Sequence, residues 1–338
     1  MKKSMFLGAF TATGLAAAAV SAATLDDVKA RGELICGVNT GLVGFAAPDA
    51  NGNWAGFDVA LCKAIAAAVL GDPTKVKYVP TTGQTRFTAL ASGEVDVLVR
   101  NSTWTFARDT DLKLDFAGVN YYDGQGFMVR KELGVSSAKE LDGATICIQT
   151  GTTTELNLAD FFKANNMSYT PVAIDSNAEG EQQYMAGACD AYTTDASGLA
   201  ATRAAFADPD NHIILPEIIS KEPLGPAVRH GDSQWGDIVR WTLNALIAAE
   251  EYGVTSTNLE EQAANSTNPE VKRLLGTEGD LGAMMGLDKD WAKRAIAAGG
   301  NYGEIFAATI GEATPIGIAR GLNAQWTQGG LLYAPPFR

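Results

Sequence analysis

The sequence predicts an α/β protein of two lobes, each a mainly parallel sheet flanked by helices, with a cleft between them. Three observations predict it. Strands and helices alternate from about residue 34 to residue 99, the pattern of a parallel sheet covered by helices. The alternation restarts after residue 126 and continues to about residue 206. Two extended segments, near residues 120–128 and 216–228, join the halves, and a site between lobes linked in this way is enclosed when they close.

In the first half, Leu25 to Arg31 forms a short helix stopped by Gly32, and Leu34 to Val38 a strand. Residues 39–56 are a loop rich in Gly, Asn and Pro. Asp58 is placed to cap the next helix, in which Phe57, Leu61, Ile65 and Val69 make one apolar stripe. Gly71-Asp72-Pro73 ends it. Lys75 to Val79 is a strand, Arg86 to Ser92 a helix closed by Gly93, and Val95 to Val99 a buried strand rich in β-branched side chains.

In the second half, Phe127 to Arg130 and Thr145 to Gln149 are strands, with a helical turn at Ala138 to Leu141 between them. Gly151-Thr152-Thr153-Thr154-Glu155 opens a helix toward Lys163, and its first amides offer an anion or carbonyl site as well as ordinary capping. Tyr169 to Ile174 is extended, Gly180 to Ala186 helical, Cys189 to Thr194 a strand ending at Asp195, and Leu199 to Phe206 helical. A long helix, Trp235 to Tyr252, follows the second crossing.

The first residues resemble a secretory signal: Lys2 and Lys3, an apolar run from Met5 to Val20, and Val20-Ser21-Ala22 with cleavage after Ala22. That run is short for a bilayer span, and no Cys near the cleavage point suggests a lipid anchor. The mature chain is expected to be exported and soluble. A net charge of −13 argues against nucleic acid as a partner. Four cysteines in an oxidising compartment suggest two disulfides with three possible connectivities. Pairing Cys36 with Cys62 and Cys147 with Cys189 keeps each bridge local and is favoured, with buried free thiols as the alternative. The cysteine spacings match no zinc motif, and with His212 and His230 as the two histidines a metal site is not expected; nor is a cofactor.

The most informative stretch is residues 95–108, where the strand runs into Asn101, Ser102, Thr103 and Thr105 and ends at Arg108. Short donors at the carboxyl end of a strand, closed by a planar guanidinium fork, suit the capture of a small carboxylate. The competing reading pairs Arg108 with Asp109, Asp111 or Asp115.

Taken in order, Gly56-Phe57-Asp58, Thr82-Gly83-Gln84-Thr85-Arg86, Gly93-Glu94-Val95-Asp96, the hydroxyl run ending in Arg108, the Gly-Thr-Thr turn and Asp195 resemble the periplasmic amino-acid-binding proteins of ABC importers, solute-binding protein family 3. The likeness spans about residues 30–250. Asn301-Tyr302-Gly303-Glu304, Arg320-Gly321-Leu322-Asn323 and Gly329 to Pro336 are similar to the tail of one branch, the general L-amino-acid and the glutamate/glutamine/aspartate/asparagine binding proteins of α-proteobacteria. Trp326 and Tyr333 are expected to pack that tail on the lobe surface.

The resemblance implies a type II periplasmic binding protein fold. It implies a signal peptide at 1–22, a first lobe of 23–126 and 220–338, and a second lobe of 127–219. It further implies a monomer that captures an L-amino acid and delivers it to membrane permease subunits. It assigns the ligand α-carboxylate to Arg108, helped by Thr103 and the backbone near Ser102, with Thr153 meeting it from the second lobe. It assigns the α-ammonium to Asp195 with Asn101, and the ligand side chain to Arg86, which favours Glu, Gln, Asp or Asn. The bland alternatives are a surface helix-start role for Arg86 and helix capping for Asp195. Leu42, with Phe45 three residues on, stands where narrow-specificity relatives place an aromatic, and Asn39 stands near the place of an acid in basic-selective ones. Trp104 is either a pocket wall or core.

Two other classes compete. Some periplasmic dehydratases share this fold and act on prephenate or arogenate, and Glu181 is the nearest candidate acid here; the chain carries no Ser-His-Asp order and no phosphate loop. A sensor module would need a signalling domain in the same chain, for which the sequence has no candidate.

Overall fold

The computed structural model describes residues 23–338, and the signal segment expected at 1–22 lies outside the described residues. The alternating pattern builds two five-stranded sheets of the same design. In the first, the order is Val76–Thr81, Leu34–Asn39, Val97–Leu98, Ala227–Arg229, Leu114–Phe116. Its first three strands are parallel and its last two add antiparallel. In the second, the order is Thr170–Ile174, Thr145–Gln149, Ala191–Asp195, Gln125–Arg130, His212–Ile214, again three parallel strands followed by two antiparallel ones.

The antiparallel member next to each parallel trio comes from a crossing segment. The chain leaves the first sheet through Tyr121–Asp123 and returns through Glu222–Leu224, and these two strands pair antiparallel, Glu222 opposite Asp123. Paired extended strands form a hinge whose ends can rotate while its own ladder stays intact.

The buried strand expected at 95–99 has ladder pairing at Val97–Leu98 alone, although all five residues are buried. The antiparallel neighbour meets it at one pair, Leu98 with Ala227, which limits the ladder. Helix Phe57–Leu70 departs further from expectation. The sequence predicts one apolar stripe, yet Val59, Ala64, Ala66 and Ala68 are buried as well. Additional cover comes from the tail: helix Trp291–Ala297 packs against this helix, and Arg294 donates to the carbonyl of Ala68 at 3.1 Å. Gly71, at φ 76°, closes the helix in the left-handed region.

Both favoured disulfides form, Cys36–Cys62 with Cα atoms 6.3 Å apart and Cys147–Cys189 with Cα atoms 5.6 Å apart. Each joins a central strand to the helix or turn that covers it. Loops of 26 and 42 residues make them worth about 3–4 kcal/mol each in the chain-entropy account.

The tail is part of the first-lobe core, contributing Trp291, Ile296, Tyr302, Phe306, Leu332 and Phe337. Trp326 and Tyr333 pack edge to face on each other and remain 48 % and 65 % exposed, so the rings expected to fix the tail are not the ones that do. The tail also grips the hinge. The Asn323 side chain accepts from the backbone N–H of Tyr122 at 2.7 Å and donates to its carbonyl at 3.0 Å, while Tyr302 donates to the carbonyl of Asn120 at 2.8 Å.

Asp58 does not cap its helix; Gly56 occupies that position without a side-chain bond. The Asp58 carboxyl is turned inward, where it accepts from Asn120 at 3.4 Å through one oxygen and has no partner on the other. Burial pushes its pKa up to about 7, against an ordinary aspartate value of 3.8. A carboxyl raised on folding holds its proton more tightly folded than unfolded, so stability is lost as pH rises from the ordinary range through about 7, by up to roughly 4 kcal/mol. Asp58→Asn is therefore expected to raise the melting temperature at pH 8, with an advantage that shrinks toward zero near pH 4; calorimetric melts across that range check it.

Candidate functional site

The first wall of the cleft is the run that follows strand Val97–Leu98. Arg100 turns inward, donates from Nε to the carbonyl of Thr81 at 3.2 Å, and leaves its Nη2 without a partner. Asn101 spans the cleft: it accepts from Asn39 at 3.0 Å and donates to Asp195 Oδ2 in the second lobe at 3.2 Å. Asn39 thus orients Asn101. Thr105 caps the short helix Phe106–Thr110, which carries Arg108.

Arg86 begins helix Arg86–Ala91 but is not a surface residue, being 2 % exposed. Its Nη1 donates to the carbonyl of Asn101 at 3.1 Å and to Ser102 Oγ at 3.2 Å, and its Nε has no partner. Ser102 is therefore a support for Arg86 behind the wall. Arg108 donates from Nη1 to the carbonyl of Thr103 at 2.9 Å, and both Arg86 and Arg108 lie over the Phe87 ring, 4.7 and 4.9 Å from its centroid. No ion pair joins Arg108 to Asp109, Asp111 or Asp115; Asp115 instead meets His230.

The second wall comes from strand Ala191–Asp195 and helix Thr153–Ala164. Asp195 precedes helix Ala196–Ala205 without capping it through its side chain, so its carboxylate is free to face the cleft. Thr152 caps helix Thr153–Ala164 by accepting from Glu155, leaving the first amides of that helix without intrahelical acceptors.

Between these walls a space of about 10 Å³ remains, lined by Arg86, Arg100, Asn101, Thr103, Gln149, Thr152, Thr153, Thr154, Thr194 and Asp195. Every lining residue is polar or charged. That is roughly the room one water molecule needs, so a ligand the size of an amino acid enters only when the walls part. Of the expected site residues, Arg86, Asn101, Thr103, Thr153 and Asp195 line this space; Ser102, bonded to Arg86, and Arg108, bonded to the Thr103 carbonyl, do not. Leu42 and Phe45 are in the first-lobe core, Phe45 edge-on to Phe57 and Tyr121, so no aromatic roofs the cavity. Trp104 is neither wall nor core: it stacks on Phe116 and is 39 % exposed. Glu181 is bonded to Thr202 and lines no part of the cavity.

The electrostatics are unusual for so small a volume. Burial and the neighbouring Arg100 and Arg108 push the Arg86 guanidinium well below the ordinary arginine range, and burial brings Arg100 and Arg108 down to about 10, so both remain cations near neutrality. Burial, with the nearby Asp123 and Glu222 carboxylates, pushes Asp195 well above the usual carboxylate range. Asp123 is raised to about 6 by burial, opposed by its bonds from Ser197. A cation brought to Asp195 relieves this repulsion, and an anion brought to Arg86 and Arg100 satisfies their free N–H groups.

The cleft is shut in this structure. Gln84 Nε2 donates to Thr150 Oγ1 at 2.5 Å across the mouth. Gly83 sits so close to the second lobe that a Cβ would come 2.8 Å from the carbonyl of Thr150. Among the described residues no group of His, Cys, Asp and Glu is arranged to hold a metal, and no helix is long and apolar enough to cross a membrane.

A family model for bacterial extracellular solute-binding proteins, family 3, matches residues 34–258, which hold both sheets and the hinge. The chain belongs to that family. This solute-binding protein is 74 % identical over its full length to the glutamate/glutamine/aspartate/asparagine-binding protein BztA of Rhodobacter capsulatus, and the match covers 100 % of each chain. It is 62 % identical to the general L-amino acid-binding periplasmic protein AapJ of Rhizobium johnstonii, again over 100 % of each chain. Among solved structures, a periplasmic binding protein from Brucella ovis with glutathione bound is 60 % identical, with a TM-score of 0.92, covering 94 % of this chain and 100 % of that one. The full-length relatives are named as binding proteins rather than enzymes, and the dehydratase alternative is not favoured.

Three polar residues of the cleft escaped sequence reasoning. Arg100 directly follows the buried run Val97-Leu98-Val99, and a charged residue at the end of such a run is its signal in the sequence. Asp123 and Glu222 lie in crossing segments whose register cannot be read from local pattern.

Gly83→Ala is expected to leave the melting temperature within about 1 °C while preventing full closure, since the added methyl meets backbone rather than a movable side chain. Small-angle scattering with saturating ligand checks it, the variant keeping a radius of gyration above that of the closed parent.

Proposed function

We propose that this chain is a periplasmic solute-binding protein that captures L-amino acids by lobe closure and hands them to the permease subunits of an ABC importer. The observation that supports this best is the wholly polar lining of the cleft, with the Asp195 carboxylate and unpartnered guanidinium N–H groups of Arg86 and Arg100 among it. An acceptor for an ammonium together with donors for a carboxylate or carboxamide suits an amino acid with an acidic or amide side chain. The lobes in this reading are 23–126 with 220–338, and 127–219, behind a signal peptide at 1–22 removed on export.

The proposed ligand-binding set is Arg108, Thr103, Asn101, Ser102, Arg86, Thr153 and Asp195, to which the cavity adds Arg100. Asp195, held by Asn101, receives the α-ammonium. Arg108 supplies positive charge to the carboxylate end, where the first amides of helix Thr153–Ala164 also point. Ser102 fixes Arg86, which with Arg100 meets a second carboxylate or a carboxamide. That favours glutamate, glutamine, aspartate and asparagine, the ligands named for BztA, within a set that the relatives' names make broad. Micromolar capture needs roughly 8 kcal/mol. Charge-assisted bonds in a closed cleft, at about 1.5–3 kcal/mol each, supply this with few contacts.

A thermal-shift screen of the twenty amino acids followed by calorimetry tests the reading, and failure of every amino acid to bind sinks it. Arg108→Ala is expected to weaken glutamate binding by at least about 100-fold, roughly 3 kcal/mol, because it strands buried carboxylates. Affinity is also expected to fall as pH is lowered. The ammonium needs Asp195 ionised, and its raised pKa in the empty closed cleft means that binding must expel a proton at low pH. Calorimetry of glutamine in buffers of different ionisation enthalpy, from pH 5 to 8, should show proton release growing as pH falls.

A further inference from the structure

Glu222 is a buried acid with four hydrogen-bond donors on its carboxylate, and it belongs to no expected site. It is 1 % exposed and lies on the return strand of the hinge. Its Oε2 accepts from the hydroxyls of Thr103, in the first lobe, and of Thr153, in the second, the latter at 2.8 Å. Its Oε1 accepts from Asn157 Nδ2 and from Ser220 Oγ, each at 2.7 Å. Four donors therefore converge on one carboxylate, which as an anion can only accept.

A threonine hydroxyl has a single proton and two lone pairs. The protons of Thr103 and Thr153 are both directed at Glu222, although the two oxygens lie 3.2 Å apart. Both residues also line the cavity, together with Asp195. What they present to a ligand is lone pairs. A carboxylate placed against them would meet oxygen with oxygen, whereas an ammonium, with three protons, can use Asp195 and both hydroxyls. The free donors for a carboxylate are elsewhere, at Arg86 Nε and Arg100 Nη2.

We propose that Glu222 is a positioning residue: by taking the hydroxyl protons of Thr103 and Thr153 it makes them acceptors for the ligand's α-ammonium, and so makes the cleft reject the same carbon skeleton without that group. The proposal rests on the amino-acid reading above and reassigns these two side chains from the carboxylate end to the ammonium end. Replacing the carboxylate by a carboxamide puts an N–H₂ where one of the acceptor oxygens was. On the face toward the threonines this frees their protons to turn into the cavity; on the other face it opposes the Asn157 amide.

The test compares L-glutamate with 2-oxoglutarate, which carries a keto oxygen in place of the ammonium, in calorimetric titrations of the full mature chain. The unsubstituted protein is expected to prefer glutamate by at least about 1,000-fold. Glu222→Gln is expected to weaken glutamate by about tenfold or more and to leave 2-oxoglutarate unchanged or tighter, so the preference falls by at least tenfold. An equal loss for both ligands, or an unchanged ratio, overturns the proposal and leaves Glu222 a structural residue. Should Glu222→Gln fail to fold, Thr153→Val carries the same test: it is expected to weaken glutamate and spare 2-oxoglutarate, and the reverse pattern overturns the assignment. If the unsubstituted protein binds glutamate and the ratios do not move, this inference alone fails; if it binds no amino acid, the reading of the cleft fails with it.

Discussion

Three guanidinium groups and two carboxylates, Arg86, Arg100, Arg108, Asp195 and Glu222, are buried in the space between the lobes, with Asp123 half-buried beside them. The groups are not paired off. Glu222 is saturated by neutral donors, Asp195 has one Asn, and two guanidinium N–H groups have nothing. Buried charge without partners costs several kcal/mol per group. That cost is tolerated because the cleft need not remain shut and empty. The sheets, the hinge and the tail position these side chains so that one small dipolar molecule completes the set.

The frame that allows this is stiff where the charges sit and compliant where the lobes join. Each wall follows the carboxyl end of a central strand, Val97–Leu98 or Ala191–Asp195, and a disulfide locks the parallel strand beside it, Leu34–Asn39 or Thr145–Gln149, to its cover. The hinge is two short paired strands. The Asn323 side chain completes the backbone bonding of Tyr122 as a third strand would, although it comes from a distant part of the chain. The tail therefore braces the outgoing crossing against the first lobe and leaves the second lobe to move. This gives the extension a physical role that its sequence did not disclose.

What could be read from the sequence was local. The alternation of strands and helices, the restart after residue 126, the donor run and the short-range disulfides all depend on neighbours in the chain, and they stand in the structure with shifts of one to three residues at element ends. The errors arose where long-range packing decides. Asp58 looked like a cap because Asp near a helix start is common, yet Asn120, 62 residues away, and Arg100 draw it inward. For Arg86 the alternative of a surface helix start falls away, because its partners lie 15 and 16 residues on and bury it. Glu222 had no local signal at all: its side-chain partners Thr103, Thr153 and Asn157 are 119, 69 and 65 residues away.

The same bonds bear on how closure is coupled to ligand. Opening the cleft breaks Asn101–Asp195 and Gln84–Thr150, and whichever of Thr103 and Thr153 moves away from Glu222 loses that bond too. Each is worth about 0.5–3 kcal/mol, depending on charge. Taken alone they would hold the empty protein shut and exclude its ligand. Opposing them are the orphaned guanidinium donors and the crowding of Asp123, Asp195 and Glu222, which favour an open, hydrated cleft. A ligand can shift a conformational equilibrium only by its difference in affinity for the two states. A zwitterion removes the penalties of the closed state and leaves its clasping bonds in place, so the difference is large. A ligand with one charge satisfies only one end, and the uncompensated charge at the other end continues to favour opening.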